Sequence, residues 1–351
     1  SKMNAANTLI GSAFNFDKTQ IYYSYDENNL AFNNEPLKVF GVSQDFKFPT
    51  VYFADKKVNE AKYDIEASNY KIKLEQLTRE VYSRYYELSF VQNKAKTYKY
   101  LDSLYADFSK KAERRFELGE TNYLEMITAK SKQKQLQTLY KQAEQEVIFR
   151  TAQLKKIVQV DSLSILSQPL EKLNLNTISI EDNFGLLYFE TSKMFYEAIT
   201  KKERQNFLPD ISVEYFQGTN NTLNSNIIGY QLGLKIPLLF GAQRSKVKAS
   251  KIAEDIINEQ QLDYKTKLSG EYQALLAKLQ QYNEAINYYE TQGKTLSEEI
   301  IKTANRTFKE GEIDFFQYIQ SLETAKDKQL DYLEHLNQYN QTIITINYLI
   351  L

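Results

Sequence analysis

Hydrophobic positions in this chain follow two rhythms. Leu268, Tyr272, Leu275, Leu279, Tyr282, Ile286, Tyr289, Gly293, Leu296 and Ile300 step alternately by four and three. That spacing predicts a coiled-coil seam. A weaker seam runs through Leu74, Leu77, Val81, Leu88, Val91, Ala95, Tyr98, Tyr105 and Ala112, interrupted at Arg84, Asp102 and Ser109. Elsewhere the period is two. Ile228, Tyr230, Leu232, Leu234 and Ile236 alternate with Gly229, Gln231, Gly233 and Lys235, and Ile211, Val213 and Tyr215 alternate with Ser212, Glu214 and Phe216. Ile21, Tyr23 and Tyr25, then Phe40, Val42, Phe46 and Phe48 against Gly41, Ser43, Asp45 and Lys47, repeat the theme. These segments predict two β-hairpins with one apolar face each, joined across the polar connectors Asp26–Pro36 and Gly218–Ser225.

The chain breakers agree. There are five prolines, with 119 residues between Pro49 and Pro169 and 114 after Pro237. Glycine is absent from Val42 to Leu118 and from Glu120 to Phe184. Stretches of this kind, rich in Lys, Glu, Gln, Leu and Ala, support very long helices. A helix from Thr50 to Leu118 would run about 100 Å.

The order of elements occurs twice. Phe48-Pro49 and Ile236-Pro237, each closing a hairpin and opening a helix, lie 188 residues apart. Phe116-Glu117-Leu118-Gly119-Glu120 matches Phe308-Lys309-Glu310-Gly311-Glu312 at an offset of 192, and Tyr123-Leu124 and Ile127 match Phe315-Phe316 and Ile319. So long a period marks a duplicated half. Repeat one is expected over 1–158, with a hairpin at 14–48, a long helix at 50–118 and a return helix at 121–158. A linker follows over 159–184. Repeat two covers 185–351, with helices at 185–207, 238–310 and 313–348 and a hairpin at 210–236. The first hairpin has no comparable helix before it, so the sequence is expected to begin inside repeat one, as an excised fusion domain or a truncation would.

Composition narrows the chemistry. The 351 residues carry 44 Lys+Arg against 45 Asp+Glu, so no basic excess exists to bind nucleic acid. With no Cys and His335 as the single His, thiolate and His-pair metal sites are excluded, and carboxylates alone could join His335 beside Glu334. A solvated or seam-edge role suits His335 better. Met3, Met126 and Met194 are scattered, so no methionine ladder exists for soft cations. No nucleophile–base set and no phosphate-cradling loop is present; the expectation is no enzyme, no cofactor and no metal centre. No apolar run reaches the length of a membrane-spanning helix, and Ser1–Asn7 is too polar for the core of a signal peptide.

Four strands with one apolar face have nothing to cover them, because long helices leave a sheet lengthwise. Closure with further copies would bury the edges and turn the apolar side to lipid. Four strands cannot close; two copies reach eight and three reach twelve, and only the larger ring leaves a clear aqueous bore. Phe46, Phe48, Tyr52 and Phe53, with Phe207 and Phe240, gather where strands meet helices, as interfacial girdles do.

This duplicated hairpin–helix plan, with its tip signature from Arg115 to Glu125, resembles the TolC-like outer-membrane efflux proteins over residues 14–351. Leu208–Ile211 and Ile236-Pro237-Leu238 resemble that family's strand boundaries. Within the family it is most similar to the outer-membrane factors of heavy-metal cation efflux, which in some bacteria are fused behind a resistance-nodulation-division pump. The resemblance implies a mainly α chain with a small β part that forms a homotrimeric twelve-stranded β-barrel and α-helical barrel. Its place would be the outer membrane of a Gram-negative bacterium, extending into the periplasm. It implies a passive exit duct working with a periplasmic adaptor and an inner-membrane pump, with Leu118, Gly119, Glu120, Gly311 and Glu312 as adaptor-docking, gating tips. The family's acidic pore ring maps to Glu125 and, in repeat two, to the uncharged Gln317 and Gln320. Those amides weaken the case for strong cation selectivity there. A coiled-coil or membrane-associated scaffold without a pore is the competing expectation.

Overall fold

The computed structural model describes residues 2–30, 35–162, 168–176, 179–219 and 227–351. In chain order the elements are α1 (Lys2–Ile10), β1 (Gln20–Leu30), β2 (Pro36–Phe46), α2 (Pro49–Glu117), α3 (Tyr123–Val158), α4 (Phe184–Gln205), β3 (Asp210–Thr219), β4 (Ile227–Lys235), α5 (Gly241–Tyr288), α6 (Lys294–Glu310) and α7 (Phe315–Asn347). The middles of both hairpin connectors and part of the linker lie outside the described residues. Two compact units result, Ser1–Lys73 with Glu181–Thr266, and Leu74–Ile180 with Lys267–Leu351.

The first unit holds one antiparallel sheet in the order β1-β2-β3-β4. The register sets Ile21 opposite Val42, Val42 opposite Tyr215 and Tyr215 opposite Tyr230. By the alternation of a pleated strand, these share a face with Tyr23, Phe40, Val213, Leu232 and Leu234. That face is bare: Tyr230 and Leu232 are 78% and 79% exposed. The opposite face is mostly polar or small, with a few rings and apolar side chains among them. There Tyr22 donates a hydrogen bond to Glu214, Lys235 pairs with Asp45, and Gly41 and Gly229 make room for the rings of Tyr22 and Phe216.

Two features of this unit differ from expectation. The first strand begins at Gln20 rather than near residue 14, and α1 with the 3-10 turn Gly11–Phe14 occupies the preceding stretch. The reason is aromatic: Phe14 packs on Tyr52 and Phe53, and Phe16 packs on Phe46 and Tyr52, drawing these residues off the sheet. Asn59 Nδ2 also donates to the Leu9 carbonyl at 2.9 Å, tying α1 to α2. α4 packs through short hydroxyl residues, Thr191 to Ser68 of α2 at 3.3 Å and Thr200 to Ser250 of α5 at 2.8 Å.

The second unit has two apolar cores, each drawing on both repeats. One gathers Leu101, Tyr105, Phe108, Ala129, Leu136, Ala304, Phe315, Tyr318 and Leu322; the other gathers Leu88, Val91, Leu154, Leu170, Ile286, Leu336 and Ile343. Leu74 and Leu77, placed on the weaker seam, are exposed. The helix expected over 238–310 is broken by one π-helical turn, Tyr289–Gly293. A π turn carries an extra residue, so the inward stripe slips by one. Gly293 keeps its seam position and is buried, but beyond it Ser297 and Ala304 are buried in place of the expected stripe, and Leu296, a seam position by spacing, is 42% exposed. Tyr289 stacks on Tyr332 of α7 with ring centres 4.3 Å apart, and a Cβ at Gly293 would stand 3.1 Å from the Tyr289 ring.

Asparagines fix the linker. Asn340, fully buried, donates to the Glu171 carbonyl at 2.7 Å and accepts from the Leu173 N–H at 2.9 Å. Asn347 treats Asn174 and Asn176 the same way, at 3.5 and 3.0 Å. Each side-chain amide thus pairs with the linker as the peptide of a neighbouring strand would. The spacing works because seven helical residues and three extended ones both advance about 10 Å. Asn93 of α2 and Asn283 of α5 add bonds to Gln168 and Lys172. Replacing Asn340 by Ala leaves the Glu171 carbonyl and the Leu173 N–H, both part-buried, without this partner. The expected loss is about 2–3 kcal/mol, read by thermal denaturation, with faster proteolysis confined to residues 168–176.

Candidate functional site

The two helical reversals are built on one backbone plan. Gly119 and Gly311 adopt positive φ, +73° and +77°, which glycine takes without steric cost. In the first tip the Gly119 N–H donates to Phe116 and the Glu120 N–H to Arg115, at 3.0 and 2.8 Å. In the second, Gly311 donates to Phe308 and Glu312 to Thr307, at 3.3 and 2.9 Å. These paired bonds form the Schellman arrangement that satisfies the last carbonyls of a helix. Asn122 and Asp314 then cap the return helices, accepting from the N–H groups of Glu125 and Gln317 at 2.9 and 2.8 Å. Every equivalent pair is separated by 192 residues, so the duplication extends to individual hydrogen bonds.

The side chains diverge. Gln317 turns back on the tip, accepting from the Asp314 N–H at 3.1 Å and completing a capping box. Glu125 holds the equivalent place but leaves its cap open. Its carboxylate is 3.3 Å from Arg115 and accepts from the Thr121 hydroxyl, and its side chain is 14% exposed. Arg115 also lies 3.9 Å from Glu120 and 5.8 Å from the centre of the Phe308 ring, so one guanidinium joins the first tip to α6. Repeat two has Thr307 where repeat one has Arg115, and no such link is possible from that side. Gln320 is exposed on α7, and Glu312 is exposed at the second tip.

Behind the tips, Phe108, Phe308, Phe315 and Tyr318 pack with ring centres 4.6–5.8 Å apart. The Tyr318 hydroxyl donates to Asn305 at 2.8 Å, and burial pushes its pKa above the ordinary tyrosine value. This cluster locks the two reversals to each other. In front of it the first tip presents apolar side chains to solvent, Leu118, Tyr123 and Leu124 each more than half exposed, with Phe116 and Ile127 beside them. Among the described residues of the second tip, Phe316 is the exposed aromatic and Phe315 is buried.

Gly119 and Gly311, marked by the repeat spacing, lie on the reversals with Leu118, Glu120 and Glu312, and Glu125, Gln317 and Gln320, singled out by the resemblance, lie just beyond them. Spacing missed Arg115 as the hub and both capping residues. A signal for the caps was present, since Asn-x-x-Glu at 122–125 and Asp-x-x-Gln at 314–317 are capping sequences at the repeat offset. Among the described residues no group of three or more His, Asp or Glu is arranged to hold a metal ion, and no helix is long and apolar enough to cross a membrane.

No protein-family model matches the sequence, and no curated protein matches it. Solved structures do. CusC, described for transmembrane channel formation, aligns with a TM-score of 0.80 at 14% identity over 98% of this chain and 86% of its own. The CmeC outer membrane channel of Campylobacter jejuni aligns at 0.77 and 12%, covering 99% of this chain and 80% of its own. The open-state MtrE outer membrane channel of Neisseria gonorrhoeae aligns at 0.77 and 10%, covering 99% and 83%. The hairpin–helix duplication found here is thus the TolC-like fold of these outer-membrane channels.

Proposed function

We propose that this chain is the outer-membrane exit duct of a tripartite efflux system in a Gram-negative bacterium. The observation that carries the reading is the sheet, whose apolar face is uncovered and whose edge strands β1 and β4 have no strand paired to their outer edges among the described residues. β1 and β4 run in opposite directions, so β4 of one copy can pair antiparallel with β1 of the next. Three copies give a closed twelve-stranded barrel with the apolar face toward lipid and the Tyr22–Glu214 and Lys235–Asp45 face toward water. The fold shared with CmeC and MtrE, both described as outer membrane channels, supports the same reading.

In this reading the helices continue the duct into the periplasm and the tips form its inner end. The exposed Leu118, Tyr123 and Leu124 supply the surface for a periplasmic adaptor, and Gly119, Glu120, Gly311 and Glu312 shape it. Transport energy comes from a resistance-nodulation-division pump in the inner membrane, and the exported substrates are heavy-metal cations. The pore is narrowest at Glu125, Gln317 and Gln320 of each copy, gated by the tips.

The chain purified in detergent is expected to have the mass of three copies by light scattering and to conduct ions in planar bilayers. A monomer without conductance would instead support the scaffold reading. Opposite effects are expected from two tip variants. Glu125→Gln lowers cation preference modestly by removing a pore charge, whereas Arg115→Gln raises it by leaving that carboxylate charged and unlatched. Reversal potentials measured across a salt gradient read both changes. Identical recordings for both variants and the parent would remove Glu125 from the pore.

A further inference from the structure

The apolar face of β4 does not stop where the strand ends. Ile236, Leu238 and Leu239 continue it beyond Lys235, and Leu238 and Leu239 are 83% and 91% exposed, the barest large apolar residues described. α5 then begins with no acidic residue in its first turn. Arg244, Lys246, Lys248 and Lys251 follow, and the next carboxylate along the chain is Glu254. All four cations are exposed, and none pairs with a carboxylate among the described residues. Arg244, Lys248 and Lys251 fall at i, i+4 and i+7, hence on one face of the helix.

Arg244, at the end of the first turn, stands against the helix's own electrostatics, because the N-terminal end of a macrodipole disfavours cations. The equivalent junction of repeat one is neutralised: Lys56 and Lys57 lie 3.8 and 2.7 Å from Glu60, and Asp55 pairs with Lys202. An uncompensated basic stripe directly after two bare leucines suits an anionic partner next to an apolar one.

We infer that this junction is an anchor for anionic lipid, an inference that rests on the membrane reading of the sheet. Leu238 and Leu239 enter the acyl region at the edge of the bilayer, and Arg244, Lys248 and Lys251 bind headgroup phosphates. Arg244 stands about one turn and Lys251 about three turns beyond Phe240, and long basic side chains reach back toward the headgroup layer. Apolar insertion combined with cationic attraction is the established recipe for binding a charged membrane surface.

The test uses the full chain and two vesicle preparations, phosphatidylcholine alone and phosphatidylcholine with about 30% phosphatidylglycerol. Flotation should show a preference for the anionic vesicles on the order of 10- to 100-fold, fading at high salt. The triple variant R244Q/K248Q/K251Q should insert into neutral vesicles like the parent, keep its oligomeric mass and lose the preference. Leu238→Ser with Leu239→Ser should weaken binding to both preparations. Insertion of the parent without any anionic preference, or a triple variant that keeps it, overturns the anchor while leaving the channel reading intact. A triple variant with altered oligomeric mass assigns the stripe to a neighbouring copy and overturns the anchor too. Failure of the parent to insert into either preparation overturns both readings.

Discussion

A half-finished sheet dictates the rest of this protein. Tyr23, Phe40, Val213, Tyr230, Leu232 and Leu234 share one face. Burying a single large apolar side chain is worth about 1.5–3 kcal/mol, so leaving a whole face in water is costly, and two unpaired edges invite further strands. Neither α1 nor α4 covers the face: α1 is tied to α2 through Leu9 and Asn59, and α4 packs on α2 and α5 through Ser68 and Ser250. The opposite face is finished by contrast. Its rings lie over glycines and its charges are paired, so it tolerates water without further copies. An environment apolar on one side and aqueous on the other satisfies both, and a closed barrel in a bilayer supplies that environment.

The tips show how duplication separates scaffold from chemistry. Backbone geometry is retained hydrogen bond for hydrogen bond, because a glycine with positive φ and a capping Asn or Asp are the cheapest way to reverse a helix. The third position of the return helix is then free to vary. Gln317 spends its side chain on its own cap, while Glu125 gives its charge to Arg115. The first tip is therefore a charged latch reaching across to Phe308, and the second is a self-contained turn.

Much of this was legible in sequence. Period-two alternation set the sheet's two faces, because strand side chains must alternate, and Gly119 and Gly311 marked the reversals because matching residues flank both at one offset, Phe116 with Phe308 and Glu120 with Glu312. Other features depended on contacts between distant segments. The π turn at Tyr289–Gly293, where Tyr289 stacks on Tyr332, leaves no mark in a four–three seam. Leu296, just beyond it, fits the pattern and is exposed. The Asn340 and Asn347 amides look like polar interruptions of a helix until the linker is laid beside them. Arg115 is one basic residue among many until Glu120, Glu125 and Phe308 converge on it.

These contacts also tie the elements of the second unit to one another at separate levels. Toward its C-terminal end α7 is held by Asn340 and Asn347 bonding to the linker, which reaches α2 and α5 through Asn93 and Asn283. Toward the tips, α6 and α7 share the Phe308–Tyr318 stack, with ring centres 4.6 Å apart. Between these levels the α5–α6 helix is interrupted, and a π turn is a common place for a helix to bend. The Tyr289–Tyr332 stack spans the interruption, and Tyr332 donates to Glu290 at 2.9 Å, with burial and that bond both raising its pKa. The Tyr289–Tyr332 and Phe308–Tyr318 stacks therefore join α6 and its π turn to α7 at two levels, and Arg115 joins α6 to the first tip.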